Sequence, residues 1–393
     1  MSKNNLKLGL KSLKVNYADT QVGRLAMTSN GQVAFSYTDD WLKYGFSVSP
    51  FSLPCEAKVF VPQKTHFDGL FGIFADSLPD AWGRLLLERT LKAHNLNENI
   101  TVLDRLALVG KSGMGALEYE PDYELSDRRG SDDLDFLAAE CQKVLQSEGY
   151  ADLDLLYSMA GSSGGARPKI LLNENGKNWL VKFPAHFDTP DIGFQEYQYS
   201  LCARNCGIDM PETKLFASAH CKGYFATLRF DRSNEQVSGS DSPFCHFEKA
   251  PVKIHTATAA ALLEADFRAP CLDYHDLMKL TRILTRESKG DVENMYRRMC
   301  FNVFAHNRDD HAKNFTFIYR PDSDSWRLSP AYDLTCSNTF FGEHTTSVDG
   351  NGKNPSKDNL LNVGLNAGMK KSRCLEIIEQ IQTIVLSELA EWL

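Results

Sequence analysis

Four residue types in this 393-residue chain stand at spacings that suit phosphoryl transfer. That chemistry needs backbone N–H groups and a lysine against the phosphates. It also needs a carboxylate to orient the attacking hydroxyl and take its proton, and oxygen ligands for Mg2+. In "NRDDHAKNF", residues 307–315, Asp309 is followed by four residues and then Asn314. Protein kinases place their catalytic carboxylate and one magnesium ligand at this D-x-x-x-x-N spacing. "SPAYDLT" supplies a further carboxylate, Asp333, after the strand pair "FTFIYR…WRLSP". Taken alone, D-x-x-x-x-N also reads as a solvated loop with a helix-capping Asp, and the downstream Asp333 weighs against that.

Two more parts lie upstream. "GSSGGARPK" is a glycine loop whose backbone can turn successive N–H groups onto an anion. It matches neither a Walker loop nor G-x-G-x-x-G, and a flexible surface loop is the alternative. Lys182 in "LVKFP" is flanked by Leu180, Val181 and Phe183. If buried it should face negative charge, and an exposed strand lysine is the competing reading. Glu196, on the following helix, is a possible partner for Lys182 or a solvated helix residue.

The elements that must position these groups follow from periodicity. Val292, Met295, Tyr296, Met299 and Val303 make the stripe of an amphipathic helix leading into the polar turn, and "NFTFIYR" reads as the strand leaving it. The first 60 residues alternate apolar and polar around the turn "SNG", which predicts a small antiparallel sheet. Residues 68–90 read as helical, with Asp76 or Ser77 as cap and Pro79 in the first turn. "FQEYQYSLCARNCGI" predicts a helix ended by Gly207. A boundary falls in the polar stretch 120–135, and from about 250 the chain is mostly helical until the polar turn.

Lys plus Arg number 43 and Asp plus Glu 51, so the net charge of -8 argues against a chain that coats nucleic acid unaided. Among 10 cysteines there is no CxxC pair, so a zinc site has little support. The start "MSKNNLKLGLKSL" has no apolar signal core, and no apolar run reaches membrane-spanning length. These features predict a reduced, cytoplasmic protein.

The segments "SSGGARPK", "LVKFP", "LRFDR", "NRDDHAKNF" and "SPAYDL", in that order, resemble the HipA family, serine/threonine kinase toxins of bacterial toxin–antitoxin pairs. "FADSLPDAWGRLLLER" and "LVGKSGMGALEYEP" extend the resemblance to nearly the whole chain. It implies an α+β, two-lobed protein-kinase-like fold, with a partly β N-terminal subdomain and a mostly helical C-terminal lobe. The N-terminal region would span 1–125 and the kinase-like domain 126–393, with a smaller lobe at 150–250 and a helical lobe at 251–393. Gly164, Gly165, Ala166, Arg167, Pro168 and Lys169 would wrap the phosphates of ATP, and Lys182 would contact them. Leu228, Arg229 and Phe230 would form the hinge that holds adenine through main-chain atoms. Asp309 would be the catalytic base. His311, Ala312, Lys313 and Tyr332 would lie near the nucleotide, and Asn314 and Asp333 would bind Mg2+. Asp310 is either an orienting group or solvated. The family's regulatory serine, seven residues before the loop lysine, corresponds to Ser162, with Ser163 its rival for autophosphorylation. The implied partners are a protein substrate, a small helix-turn-helix antitoxin and, mainly through that antitoxin, operator DNA, with no membrane. A kinase of small molecules or lipid headgroups, or a catalytically silent kinase-like binding partner, are the alternatives.

Overall fold

The computed structural model describes residues 8–96, 100–123, 125, 130–146, 151–160, 164–233, 252–337 and 342–393. The fold is mixed α+β and divides into two compact units. One is Met1–Gly193 with Phe216–Thr256, and the other is Phe194–Leu215 with Ala257–Leu393. Among the described residues no helix is long and apolar enough to cross a membrane.

In the first unit, β1 (Ser12–Tyr17), β2 (Thr20–Met27), β3 (Val33–Tyr37) and β4 (Leu117–Glu120) form an antiparallel sheet ordered β3-β2-β1-β4. Leu13, Val15 and Tyr17 are buried at alternate positions, the period-2 signature of a half-buried strand. Gly31, at φ +82°, closes the "SNG" turn between β2 and β3.

Helix α1 (Ala81–Ala93) begins later than the sequence predicts. Asp80 is its N-cap, and Pro79 lies outside the first turn. Asp76 and Ser77 are unavailable as caps because they end a preceding helical turn: the Asp76 N–H donates to the Gly72 carbonyl and the Ser77 N–H to that of Phe74. Helices α2 (Leu134–Gln146) and α3 (Leu153–Ala160) follow, then strands β5 (Lys169–Glu174) and β6 (Lys177–Lys182). Helix α4 (Ile192–Asn205) carries the chain into the second unit, ended by Gly207 at φ +72°. It returns through β7 (Thr213–Phe216) to β8 (Tyr224–Leu228), which pairs antiparallel with β6. One buried cluster joins Trp82 and Leu86 of α1, Leu137 and Val144 of α2, Leu156 of α3, Ile170 of β5 and Val181 of β6. Each such side chain contributes about 1.5–3 kcal/mol on burial, so α1 is welded to the strands that bear Lys169 and Lys182.

The second unit is mainly helical: α5 (Tyr274–Leu284), α6 (Lys289–Phe304), α7 (Lys357–Asn366) and α8 (Lys371–Glu388). Ser288 caps α6 by accepting the Asp291 N–H. The predicted stripe Val292, Met295, Tyr296, Met299 and Val303 is buried, and α6 packs on α5, α7 and α8. Tyr199 of α4 donates its hydroxyl to the Ala305 carbonyl at 3.3 Å, which fixes the C-terminal end of α6. The hairpin of β9 (Thr316–Arg320) and β10 (Ser325–Leu328) pairs Phe317 with Leu328. Helix end and hairpin therefore bracket the polar turn.

Candidate active site

The candidate residues fall into two groups, one in each unit. In the first unit Lys169 opens β5 and Lys182 closes β6, and the register sets them directly opposite each other. Opposed residues of an antiparallel pair project on the same face, so two lysines only 3% and 8% exposed share one face. The Lys169 ammonium donates to the Gly164 carbonyl, and Lys182 Nζ lies 5.6 Å from the Phe225 ring centroid. Gly165 has φ +94°, a conformation that favours glycine, and a Cβ there would push the Lys169 ammonium aside.

The loop is also held from below. The Gly165 N–H donates to the Asp80 carboxylate, and the Trp82 N–H donates to the Gly165 carbonyl at 3.2 Å. The Pro168 carbonyl accepts from the Phe183 N–H at 2.8 Å. Arg167 makes a bidentate pair with Asp188, at 2.8 and 3.0 Å. Ala166 continues the loop between these contacts. Ser162 and Ser163 lie outside the described residues.

At the end of β8 the Arg229 N–H donates to the Asn178 carbonyl at 2.9 Å. Leu228 pairs with Trp179 in the alternate register, so its own N–H and C=O point away from β6. Phe230 opens the turn that follows. The Arg229 guanidinium clasps Asp231 at 2.9 and 2.7 Å, and Arg232 adds a third donor at 2.8 Å. Burial pushes the Asp231 carboxyl up, but the two guanidiniums and the Gly115 N–H outweigh it and hold the pKa at about 2.

In the second unit the turn after α6 starts at His306, with φ +53°. The Asn307 carboxamide donates to Asn302 Oδ1 at 2.9 Å and to the Asp333 carbonyl at 3.4 Å, which ties the Asp309 and Asp333 segments together. Asp333 itself adopts φ +53°, a left-handed conformation that aspartate tolerates better than most residues. The Asp309 side chain is 57% exposed, and His311 Nε2 lies 3.8 Å from its carboxylate. Asn314, in the 3-10 turn Ala312–Asn314, donates its side-chain amide to the Asp309 carbonyl at 2.7 Å. Lys313 Nζ sits 4.5 Å from the Phe267 ring centroid, and the Tyr332 hydroxyl donates to the Lys313 carbonyl at 2.6 Å. His311, Lys313, Asn314, Tyr332 and Asp309 thus form one connected turn, tied through Asn307 to Asp333.

Asp310 is the residue whose place the sequence left open. Its side chain is fully buried and accepts from Tyr274, His344 and the Thr346 N–H. Tyr274, Asn302, Asn307, His344 and Asp80 were not singled out by sequence reasoning. None carries a local signal, since each acts through a contact distant in the chain.

The pattern of a HipA-like C-terminal domain matches residues 161–388, and that of a HipA N-terminal domain matches residues 13–120. This chain belongs to the HipA family. Among relatives of this HipA chain, Y4dM of Sinorhizobium fredii, provisionally named a kinase, is 28% identical over 177 residues, which is 44% of this chain and 41% of that protein. A Haemophilus influenzae protein, also provisionally named a kinase, is 26% identical over 187 residues, 44% of this chain and 52% of that one. The HipA chain thus spans about half the length of the relatives it matches. HipA of Shewanella oneidensis MR-1, solved with HipB and its operator DNA, superposes with a TM-score of 0.70 at 17% identity. That match covers 96% of this chain and 90% of the other, and it shows a shared HipA fold.

Proposed function

We propose that this chain is an ATP-dependent serine/threonine protein kinase of a HipA-type toxin–antitoxin module. The observation that carries the reading is the Asp309 carboxylate, exposed at the head of a turn whose neighbouring backbone is held on both sides. Asp309 accepts the proton of an acceptor hydroxyl. That oxygen bonds to the γ-phosphorus, the bond to the β,γ-bridging oxygen breaks, and ADP leaves with its electron pair. Lys182, Lys169 and the N–H groups of Gly164, Ala166 and Arg167 hold the phosphates, since Pro168 has no N–H and that of Gly165 is given to Asp80, and main-chain groups at Leu228 and Phe230 hold adenine. The opposed lysines support this, because the register places two cationic donors on one face of the ladder.

Asn314 and Asp333 are hard oxygen donors that suit Mg2+, and Asn314 spends its amide nitrogen on the Asp309 carbonyl, leaving the oxygen end to coordinate. When bound, the ion supplies charge neutralisation at the β- and γ-phosphates. The labour would be divided within the kinase-like domain 126–393, with the nucleotide handled by 150–250 and the proton transfer by 251–393.

Ser162, with Ser163 as rival, is the proposed autophosphorylation site. A phosphoserine carries about -1.5 to -2 charges and would be repelled by ATP's own phosphates. The proposed partner is a small helix-turn-helix antitoxin that contributes most of the operator contact. The complex of the Shewanella protein with HipB and DNA supports this, as does the net charge of -8. Incubation of the purified chain with Mg-ATP, followed by phosphosite mapping with Asp309→Ala as control, tests the reading. Phosphate on Ser162 in the wild type alone is expected; phosphate only on Ser163, or on neither, refutes the autophosphorylation switch.

A further inference from the structure

Three consecutive residues far from the catalytic turn grip it. The Thr345 N–H and hydroxyl both donate to the Arg308 carbonyl at 3.0 Å. The Thr346 hydroxyl donates to the Asp310 carbonyl at 2.5 Å. Between them the Asp309 carbonyl takes the Asn314 amide. Three successive carbonyls, 308 to 310, are therefore each held by a side chain.

The side chains of the two aspartates diverge. Asp309 is 57% exposed, whereas Asp310 is 0% exposed. Asp310 accepts from His344 Nδ1 at 2.9 Å, the Tyr274 hydroxyl at 2.9 Å and the Thr346 N–H at 3.1 Å. A buried carboxylate without donors is very unfavourable, so these bonds fix which of the two adjacent acids turns inward. The grip is itself anchored. Thr346 and Ser347 pair in parallel with Leu272 and Asp273, the residues that lead into α5 and its Tyr274.

We propose that His344, Thr345 and Thr346 form a clamp that positions Asp309, with Asp310 as its buried anchor. The consequence for turnover rests on the kinase reading; the clamp does not. Asp310 never meets the reacting atoms and acts as a positioning residue. Its segment decides whether the Asp309 carboxylate stands where a hydroxyl proton can reach it, and a displacement of about 1 Å there costs on the order of 10²-fold.

The test uses three variants of the full chain. Thr346→Val keeps the shape and removes one donor, His344→Phe removes another, and His344→Asn retains a donor near the position of Nδ1. Hydrogen exchange over residues 305–315 is measured beside kcat and the KM for ATP. In Thr346→Val and His344→Phe this segment should exchange faster while α6 and α8 keep their protection. Their kcat should fall about 10–100-fold with the KM for ATP within about twofold, and His344→Asn should recover most of both. Unchanged exchange in the segment for both donor-removing variants overturns the clamp, as does a raised KM with intact kcat. Absence of phosphotransfer in the wild type would refute the kinase reading, while the exchange data still decide the clamp.

Discussion

Lys169 and Lys182 stand opposite each other on one face of the β5–β6 ladder, and both are buried. A protein keeps two such cations together where their charge has a use, and triphosphate binding is the use proposed above. Lys182→Met should therefore weaken ATP binding by about tenfold or more, since a hydrogen bond to a charged group is worth roughly 1.5–3 kcal/mol. Calorimetry with Mg-ATP measures this directly. The rise in melting temperature on adding ATP should shrink in parallel. Equal affinity in variant and wild type would remove Lys182 from the phosphate site.

Metal dependence follows from Asn314 and Asp333. Mg2+ keeps several waters and takes one or two protein oxygens plus the phosphates. ATP binding should weaken strongly when EDTA replaces Mg2+, and Asp333→Ala should retain little of the magnesium-dependent part. An ATP affinity indifferent to Mg2+ in titration calorimetry would exclude these two residues as its ligands.

His255 provides a pH test of the fold. It is fully buried, its Nε2 lies 2.9 Å from the Val48 carbonyl, and desolvation pushes its pKa down from 6.5 to about 4. The folded chain holds it neutral between those values while the unfolded chain binds a proton, so stability rises with pH across that window. The contribution is complete above about 6.5 and is lost progressively as pH falls toward 4. It amounts to about 3 kcal/mol. Denaturant midpoints measured at intervals from pH 7 to 4 should fall, and His255→Gln, which keeps a donor toward Val48, should flatten that slope. A midpoint with the same pH slope in both proteins would contradict the assignment.

Much of this was legible before any coordinates, and the reasons are physical. The stripe from Val292 to Val303 repeats at helical spacing within a sixteen-residue helix, and nothing competes with it. The D-x-x-x-x-N spacing is local, so Asp309 and Asn314 stand out as candidates from their own neighbours, and the structure links them through the Asn314 amide and the Asp309 carbonyl. Asp310 could not. Adjacent aspartates look alike in sequence, and what distinguishes them is donors at 274, 344 and 346, brought in by tertiary packing. The start of α1 was misread for a related reason: Asp76 and Ser77 are good capping types, but Asp76 has helical backbone as the C-cap of Gly72–Ala75 and the Ser77 hydroxyl accepts from Tyr119. Asp80, four residues on, holds Gly165 across 85 positions of sequence. Asp231 stood in the sequence only as one letter of "LRFDR", while in the structure it holds Arg229, Arg232 and Gly115 together in the interior.

The central claim is that Asp309 moves the proton in phosphotransfer from ATP. Radiolabel transfer from γ-labelled ATP to protein by the purified wild type and by Asp309→Asn, with Mg-ATP affinity measured in both, tests it most directly. General-base assistance is worth roughly 10²–10⁴-fold, so the variant should bind ATP almost normally and lose turnover by that factor. Labelling by Asp309→Asn at the wild-type rate, or no labelling by the wild type, would contradict the account.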